Sequence, residues 1–279
     1  NTNGIPRGID ALLTESIRVQ KHGFTKSELD RQKAKFLRAL EKRYNERDKT
    51  ESETYKWQYK DHFLEGKSIP SIDYVYKNSQ ELLSDITMDE VNQLSLELIR
   101  DKNRVITVRS PENDDVIIPI VEDLKDVFDK ALSMDIEPYV DSVSDEPLVS
   151  SLEPPGKVIS SIKFDEIGVT QWNLSNGVRV ILKPTDFKND EILFYAQSPG
   201  GQSLVEDVDF IAAKTAATII SESGIGSFSK IELDKMLSDK IVSVSPWIEG
   251  LNEGLRGNVS PQDQETMFQL IYQYFYAPR

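Results

Sequence analysis

The sequence predicts an α+β chain in two parts, helical first and mixed sheet-and-helix second. Three observations carry this. Ser or Thr followed three residues on by Glu, at Thr25 with Glu28, Thr87 with Glu90 and Ser229 with Glu232, marks helix starts, because each pair satisfies two orphan amides. Short β-branched runs bounded by turn residues cluster after residue 157. Between the parts lies a segment rich in acid and proline, with no Lys or Arg from 135 to 155.

The elements follow in order. Ile9, Leu12, Leu13 and Ile17 recur at helical spacing, and Lys21, His22 and Gly23 read as that helix's C-terminal end. The helix after Thr25 carries Leu29, Phe36, Leu37 and Leu40, with Lys and Arg expected on its solvent face, and reaches Tyr44. Residues 52–64 form an aromatic-rich helix (Tyr55, Trp57, Tyr59, Phe63) that Gly66 and Pro70 interrupt. Thr87 opens a helix with Val91, Leu94, Leu98 and Ile99 as its buried stripe. A strand is expected from Arg104 to Val108, then a turn starting at Ser110. Residues 119–133 make one more helix, with Ile120, Leu124, Val127, Phe128 and Leu132.

Residues 135–156 read as an extended linker. They hold six acidic residues (Asp135, Glu137, Asp141, Asp145, Glu146, Glu153) and prolines at 138, 147, 154 and 155, a composition that resists packing. The domain boundary is placed there, with residues 1–134 before it and 157–279 after it. In the second part, strands are expected at 158–164, 169–174 and 178–182, the last two joined by Ser175-Asn176-Gly177, a tight-turn signal. Further strands fall at 191–197, 241–247 and 251–259. A helix over 207–222, with Phe210, Ala213, Ala217 and Ile220 on one face, ends at Gly224, and its alanines suit close packing on a sheet. A shorter helix holds Leu233, Met236 and Leu237. Ser260 as N-cap and Pro261 at the first helical position open the last helix.

Composition narrows the function. The 279 residues carry a formal net charge of -14, the wrong sign for a phosphate-binding or anionic-membrane surface. The absence of cysteine excludes disulfides, Cys-ligated zinc and thiol chemistry, and leaves the compartment open. No apolar run reaches the roughly 18–20 residues that span a bilayer. The chain starts at Asn1 rather than Met, and its last helix runs into Tyr276-Ala277-Pro278-Arg279. Both features lead to the expectation of a piece excised from a longer protein.

Several stretches then carry a resemblance. Trp172-Asn-Leu-Ser-Asn-Gly-Val-Arg-Val-Ile-Leu-Lys-Pro, Ser198-Pro-Gly-Gly-Gln-Ser-Leu and Ser221-Glu-Ser-Gly-Ile-Gly resemble the opening of a domain of the pitrilysin/insulinase family of zinc metallopeptidases, the inverzincins. Gly23-Phe-Thr-Lys-Ser-Glu-Leu-Asp-Arg-Gln-Lys, Tyr44-Asn-Glu-Arg-Asp-Lys-Thr and Ile86-Thr-Met-Asp-Glu-Val resemble its second domain. The variety most resembled is the bacterial single-chain kind. The resemblance implies two partial LuxS/metallohydrolase-like domains, with sheets flanked by helices. On it, residues 1–134 are the end of domain two, 135–156 the inter-half linker, and 157–279 the start of domain three. Family members close two halves like a clamshell around a peptide.

The family's catalytic chemistry needs His-x-x-Glu-His and a distant Glu on zinc, with the Glu of the motif as general base. Here the corresponding helix reads Ala213-Lys-Thr-Ala-Ala-Thr-Ile-Ile220, with Thr215, Thr218 and Ile219 at the metal-site positions. The two histidines, His22 and His62, stand far apart, and each reads as a surface or helix-end residue. No catalytic or metal-binding residue is therefore assigned, and no substrate-binding residue is identified. Gly200-Gly201 reads as a turn more readily than as a phosphate cradle. Ser198, Ser203, Ser221 and Ser223 lack a nearby base, paired carboxylates read as solvated surface, and Tyr55, Trp57 and Tyr59 as packing residues.

Two functions follow from the resemblance. The chain is expected to be the non-catalytic portion of a zinc-dependent peptidase, a chamber wall and hinge, holding no cofactor itself while its parent binds zinc. The alternative is an inactive scaffold partner of an active peptidase, and a sequence upstream of Asn1 with or without His-x-x-Glu-His separates the two. An unrelated α+β module is the third reading. Expected partners are a peptide substrate and either the remaining domains of the same protein or a homologous subunit. Nucleic acid and a membrane span are not expected, and the periplasm or cell envelope is favoured over the cytoplasm.

Overall fold

A computed structural model describes residues 4–99, 103, 105–110, 117–144 and 146–279. These form two units, Asn1–Lys33 with Gln80–Ser142, and Ala34–Ser79 with Val143–Arg279. The division falls inside two helices and again after Ser142. Helices and two open antiparallel sheets are both present, as the α+β reading requires.

In the first unit, α1 (Gly4–His22) packs against α6 (Val121–Ser133) and touches α5 (Met88–Leu98). Its small core is Ile17, Ala131 and Ile136, with Leu13 against it. The end of α1 grips the chain that follows α6. Lys21 Nζ donates to the Met134 carbonyl, Arg18 to the Glu137 carbonyl, and His22 Nε2 stands 2.6 Å from the Ile136 carbonyl. Cations at a helix C-terminus suit its exposed carbonyl end, and here they also hold neighbouring backbone. A capping box opens α2 (Lys26–Asn45): the Thr25 N–H donates to Glu28 and the Glu28 N–H to Thr25 Oγ1. From the same first turns, Arg31 Nη1 pairs with Asp141 at 2.6 Å.

The second unit holds the rest of α2, then α3 (Ser52–Glu65) and the first turns of α4 (Ile72–Asp85). After residue 157 come β1 (Val158–Phe164), β2 (Val169–Leu174) and β3 (Arg179–Leu182), an antiparallel sheet in that order. The second sheet has β4 (Ile192–Pro199) and β5 (Val242–Ile248) on either side of β6 (Asn252–Val259). Pro246 sits in β5, an edge strand, where its missing N–H costs no ladder bond. One face of this sheet carries the unit's core. Val244, Leu255 and Val259 meet Met267 and Leu270 of α9 (Gln264–Tyr276), and Leu233 of α8 (Lys230–Met236), together with Phe228, Ile225 and Leu148. The Ala-rich α7 (Phe210–Ser223) packs against β5, the close helix-on-sheet contact that small side chains allow.

Several expectations need correction. No strand occupies 105–110; Val105 is 88% exposed, and no neighbouring strand among the described residues supplies the ladder that β-branched content alone cannot. Arg104 and the turn residues 111–114 lie outside the described residues. α4 was not anticipated, because Pro70 just ahead of it reads as loop. Leu94 and Leu98 of α5 are exposed at 53% and 73%, while Ser95 is buried, so the contact face lies a quarter-turn from the apolar stripe. Arg38 of α2 is buried rather than solvated. Between α6 and β1 no helix or strand is found among the described residues, yet Ile136 and Leu148 are both buried in cores.

Candidate functional site

The position that matters most for chemistry is α7. A short 3-10 turn, Asp207–Asp209, leads into it, and Gly224 ends it at φ 99°. A Cβ at Gly224 would lie 2.2 Å from the Phe228 carbonyl, so no other residue fits there. At the positions of the family's metal ligands the helix carries no His or Glu. Thr215 is exposed and its hydroxyl donates back to the Ile211 carbonyl at 2.8 Å; Thr218 and Ile219 are also exposed. Each of the two histidines is engaged by a backbone carbonyl within its own unit. His22 faces the Ile136 carbonyl, and His62 Nδ1 lies 2.6 Å from the Lys67 carbonyl. In each contact the ring nitrogen facing the carbonyl is the donor. Among the described residues, no three His, Cys, Asp or Glu side chains come together as a metal site would require. The described residues do not fit zinc.

The Gly200-Gly201 turn is closed to phosphate. The Gly200 amide donates to the Leu251 carbonyl and the Gln202 amide to the Glu249 carbonyl. The Gly201 amide reaches Glu253 Oε2 at 3.3 Å, so a carboxylate already stands where an anion would enter. Gly201 has φ 69°, and a Cβ there would lie 2.2 Å from the Glu249 carbonyl. The glycines make a tight packed turn, as their sequence context suggested. The four serines are equally committed. Ser203, Ser221 and Ser223 donate to the carbonyls of Gly200, Ala217 and Ile219, and Ser198 to that of Pro199. Tyr55, Trp57 and Tyr59 are exposed at 40%, 50% and 60%, so the packing role expected for them is not filled within this chain.

Sequence reasoning missed the main polar centre, which is a buried ionic network in the second unit. Arg38 Nη2 donates to Asp263 Oδ2 at 3.0 Å, Nη1 reaches Glu41 at 3.0 Å, and Asp190 lies 3.9 Å away. Asp190 also accepts from Asn45 Nδ2 at 3.0 Å and from the Ser260 hydroxyl, and its own amide donates to Glu46. Asp263 accepts from the Ile241 amide at 2.8 Å, and Lys240 stands 4.0 Å off. Arg38, Glu46, Asp190, Ser260 and Asp263 are all buried. Ser260 stands at the N-cap position but caps nothing with its side chain, which goes to Asp190 instead. Residues 225 positions apart meet here, and nothing in the periodicity of α2 separates Arg38 from its solvated neighbours. The network joins α2, the entry to β4 and the entry to α9; Arg38 Nε and Glu46 Oε2 are buried in it without a hydrogen-bond partner among the described residues.

Shifted acidities mark local structure rather than a reactive cleft. Backbone and hydroxyl hydrogen bonds from Ser229 hold Glu232 below the usual glutamate range, and those from Thr87 do the same for Glu90. Lys67 and Lys60 lower Asp61. Burial raises Tyr274 and Tyr76. The carboxylate shifts are those of capping boxes and surface pairs.

No family model matches the chain. Among curated proteins it is similar to a zinc protease PQQL-like protein of Arabidopsis thaliana, 29% identical over 253 residues, covering 89% of this chain and 26% of that protein. It is also similar to the probable zinc protease PqqL of Haemophilus influenzae, 19% identical over 267 residues, covering 94% of this chain and 28% of that one. Among solved structures it is similar to the periplasmic protease PqqL from Escherichia coli, at 20% identity and a TM-score of 0.47, covering 96% of this chain and 30% of the other. The chain thus spans under a third of the length of the relatives it matches.

Proposed function

We propose, on the premise that this chain is a relative of the pitrilysin-type zinc proteases, that it is a non-catalytic portion of a zinc-dependent peptidase. Its role is to wall the space that holds a peptide substrate and to connect the halves that enclose it. The observation that carries this reading is α7. It has the sequence context of the family's metal helix, yet it carries Thr215, Thr218 and Ile219 and turns its hydroxyl inward to its own backbone. A helix with that sequence context but without the ligands suits a structural copy of the catalytic domain. In this reading zinc, hydrolysis and the peptide substrate belong to the longer parent.

The connecting role falls to residues 135–156, between the end of domain two and the start of domain three. Their lack of helix or strand among the described residues supports it. Limited proteolysis of the purified chain is expected to cut within 137–156 before either flank; first cuts elsewhere count against a hinge. The compartment proposed is the periplasm or cell envelope, and cell fractionation decides it. No helix of the described residues is long and apolar enough to cross a membrane.

The direct test is metal content. The purified chain is expected to hold no stoichiometric zinc by elemental analysis and to leave fluorogenic peptides uncut. One zinc per chain that survives dialysis overturns the proposal.

A further inference from the structure

Sheet β4–β6–β5 has two unlike faces. Side chains alternate along each strand, so Phe194, Val244 and Leu255 enter the core while Leu193, Tyr195 and Arg256 share the opposite face. That opposite face is exposed along β4 and at Arg256: Leu193 and Tyr195 are 76% and 61% exposed, and Arg256, Gln197 and Ser243 are exposed as well. Tyr195 pairs in register with Arg256, so the phenol and the guanidinium stand on adjacent strands.

A built aromatic plate lies beside them. Tyr195 stacks on Trp247 with ring centroids 5.3 Å apart and planes 14° from parallel. Trp247 is 7% exposed and pairs in register with Gly254, where a Cβ would come within 3.0 Å of the indole. Bare backbone at Gly254 is what lets the ring lie against the strand. The Trp247 N–H finds no acceptor among the described residues. The Arg256 side chain has no ion pair or hydrogen bond among the described residues. The chain has 47 Asp and Glu, yet among the ladder positions that share this face none is acidic and Arg256 is the one charge; Glu191 and Glu249 stand just beyond its ends.

We propose that this face docks an extended peptide segment that offers an apolar side chain next to a carboxylate. The apolar side chain lies on Tyr195, which Trp247 backs, beside Leu193, and the carboxylate takes the fork of Arg256. Stacked aromatics are already immobilised, so little side-chain entropy is lost on binding, and aromatic and Arg anchors dominate interface energetics. Charge sets the partner's sign. At ~0.15 M salt the screening length is roughly 8 Å, so the local guanidinium outweighs the more distant acids of the chain. The inference rests on the reading that the chain walls a peptide-holding space, and names which surface does so and for what sequence class.

The experiment uses the intact chain and short, end-blocked, fluorescein-labelled peptides with one leucine-rich frame bearing Glu, Gln or Lys, read by fluorescence anisotropy. The Glu peptide is expected to bind, with the Gln version weaker by about tenfold and the Lys version weaker still. Arg256→Glu is expected to reverse the order of the Glu and Lys peptides, and Tyr195→Ala to weaken the Glu and Gln versions alike. Lys163→Glu on β1 leaves all three unchanged. A reversal of preference cannot come from misfolding, and matching thermal melts confirm the variants are folded. Binding of the Glu peptide that ignores Arg256→Glu overturns this site while leaving the wall reading intact. No binding of the Glu peptide by the unaltered chain overturns the site outright; stoichiometric zinc overturns the wall reading by itself.

Discussion

The second unit contains two antiparallel three-stranded sheets, and they differ in what lies against them. In β1–β2–β3 no residue is buried; Ile162, Ile181 and Trp172 are 45%, 62% and 36% exposed. In β4–β6–β5 one face is sealed, with Val259 and Leu255 at 1% and 4% beneath Met267 and Leu270 of α9. Both sheets keep their ladders and both were legible as strands. The difference teaches that hydrogen bonding shapes a sheet, whereas burial of a face by helices is what gives it stability.

Removing the charge that anchors the sealed sheet tests this most severely. Arg38→Ala leaves Asp190 buried without a cation and Asp263 with only Lys240 at 4.0 Å, and is expected to cost about 3–5 kcal/mol in urea unfolding, enough to threaten the fold. A loss no larger than that of a surface ion pair would show that the network is idle. Next, Leu255→Ala in the sealed sheet is expected to cost about 2–5 kcal/mol, whereas Ile162→Ala in the open one stays within about 0.5 kcal/mol. Equal losses would erase the contrast between the sheets. The smallest effect concerns α8, which borders the sealed core. Ser229→Ala removes its capping box and is expected to cost about 1 kcal/mol.

The capping carboxylates add a pH dependence. Glu90 and Glu232 have acidities shifted down in the folded chain, so the folded state favours their ionised form. Their contribution is fully present above the ordinary glutamate range of about 4.3 and fades as pH falls through the lowered folded values. Thermal melts between neutral pH and pH 3 are expected to show this loss, and Ser229→Ala to flatten it. An unchanged slope in that variant would assign the acid sensitivity elsewhere.

Much of the fold was legible from local chemistry. Both ends of the capping boxes at Thr87 and Ser229 formed, and β1 and β2 match their expected bounds, because these features need only residues a few positions apart. The strand expected at 104–108 did not form over its described residues, since a strand needs a neighbour that propensity does not provide. The stripe on α5 was misplaced because an isolated helix pattern does not say which face meets a partner. At the candidate site, the missing ligands of α7 could be read directly, whereas the fate of Gly201 required the Glu253 carboxylate that folds onto its amide.

The sequence by itself determined the kinds of element, where most helices begin, and that no histidine stands on α7. Those are properties of covalent order and of contacts within one turn. The tertiary structure alone decided that Arg38 is buried among Asp190 and Asp263, that Ser260 serves Asp190 instead of its own helix, and that one sheet is sealed while the other is open. It also brought Tyr195, Trp247 and Arg256 onto one face. These outcomes depend on groups brought together from distant positions, and the free energy of burying a charge or an apolar face exists only once the chain has closed around it.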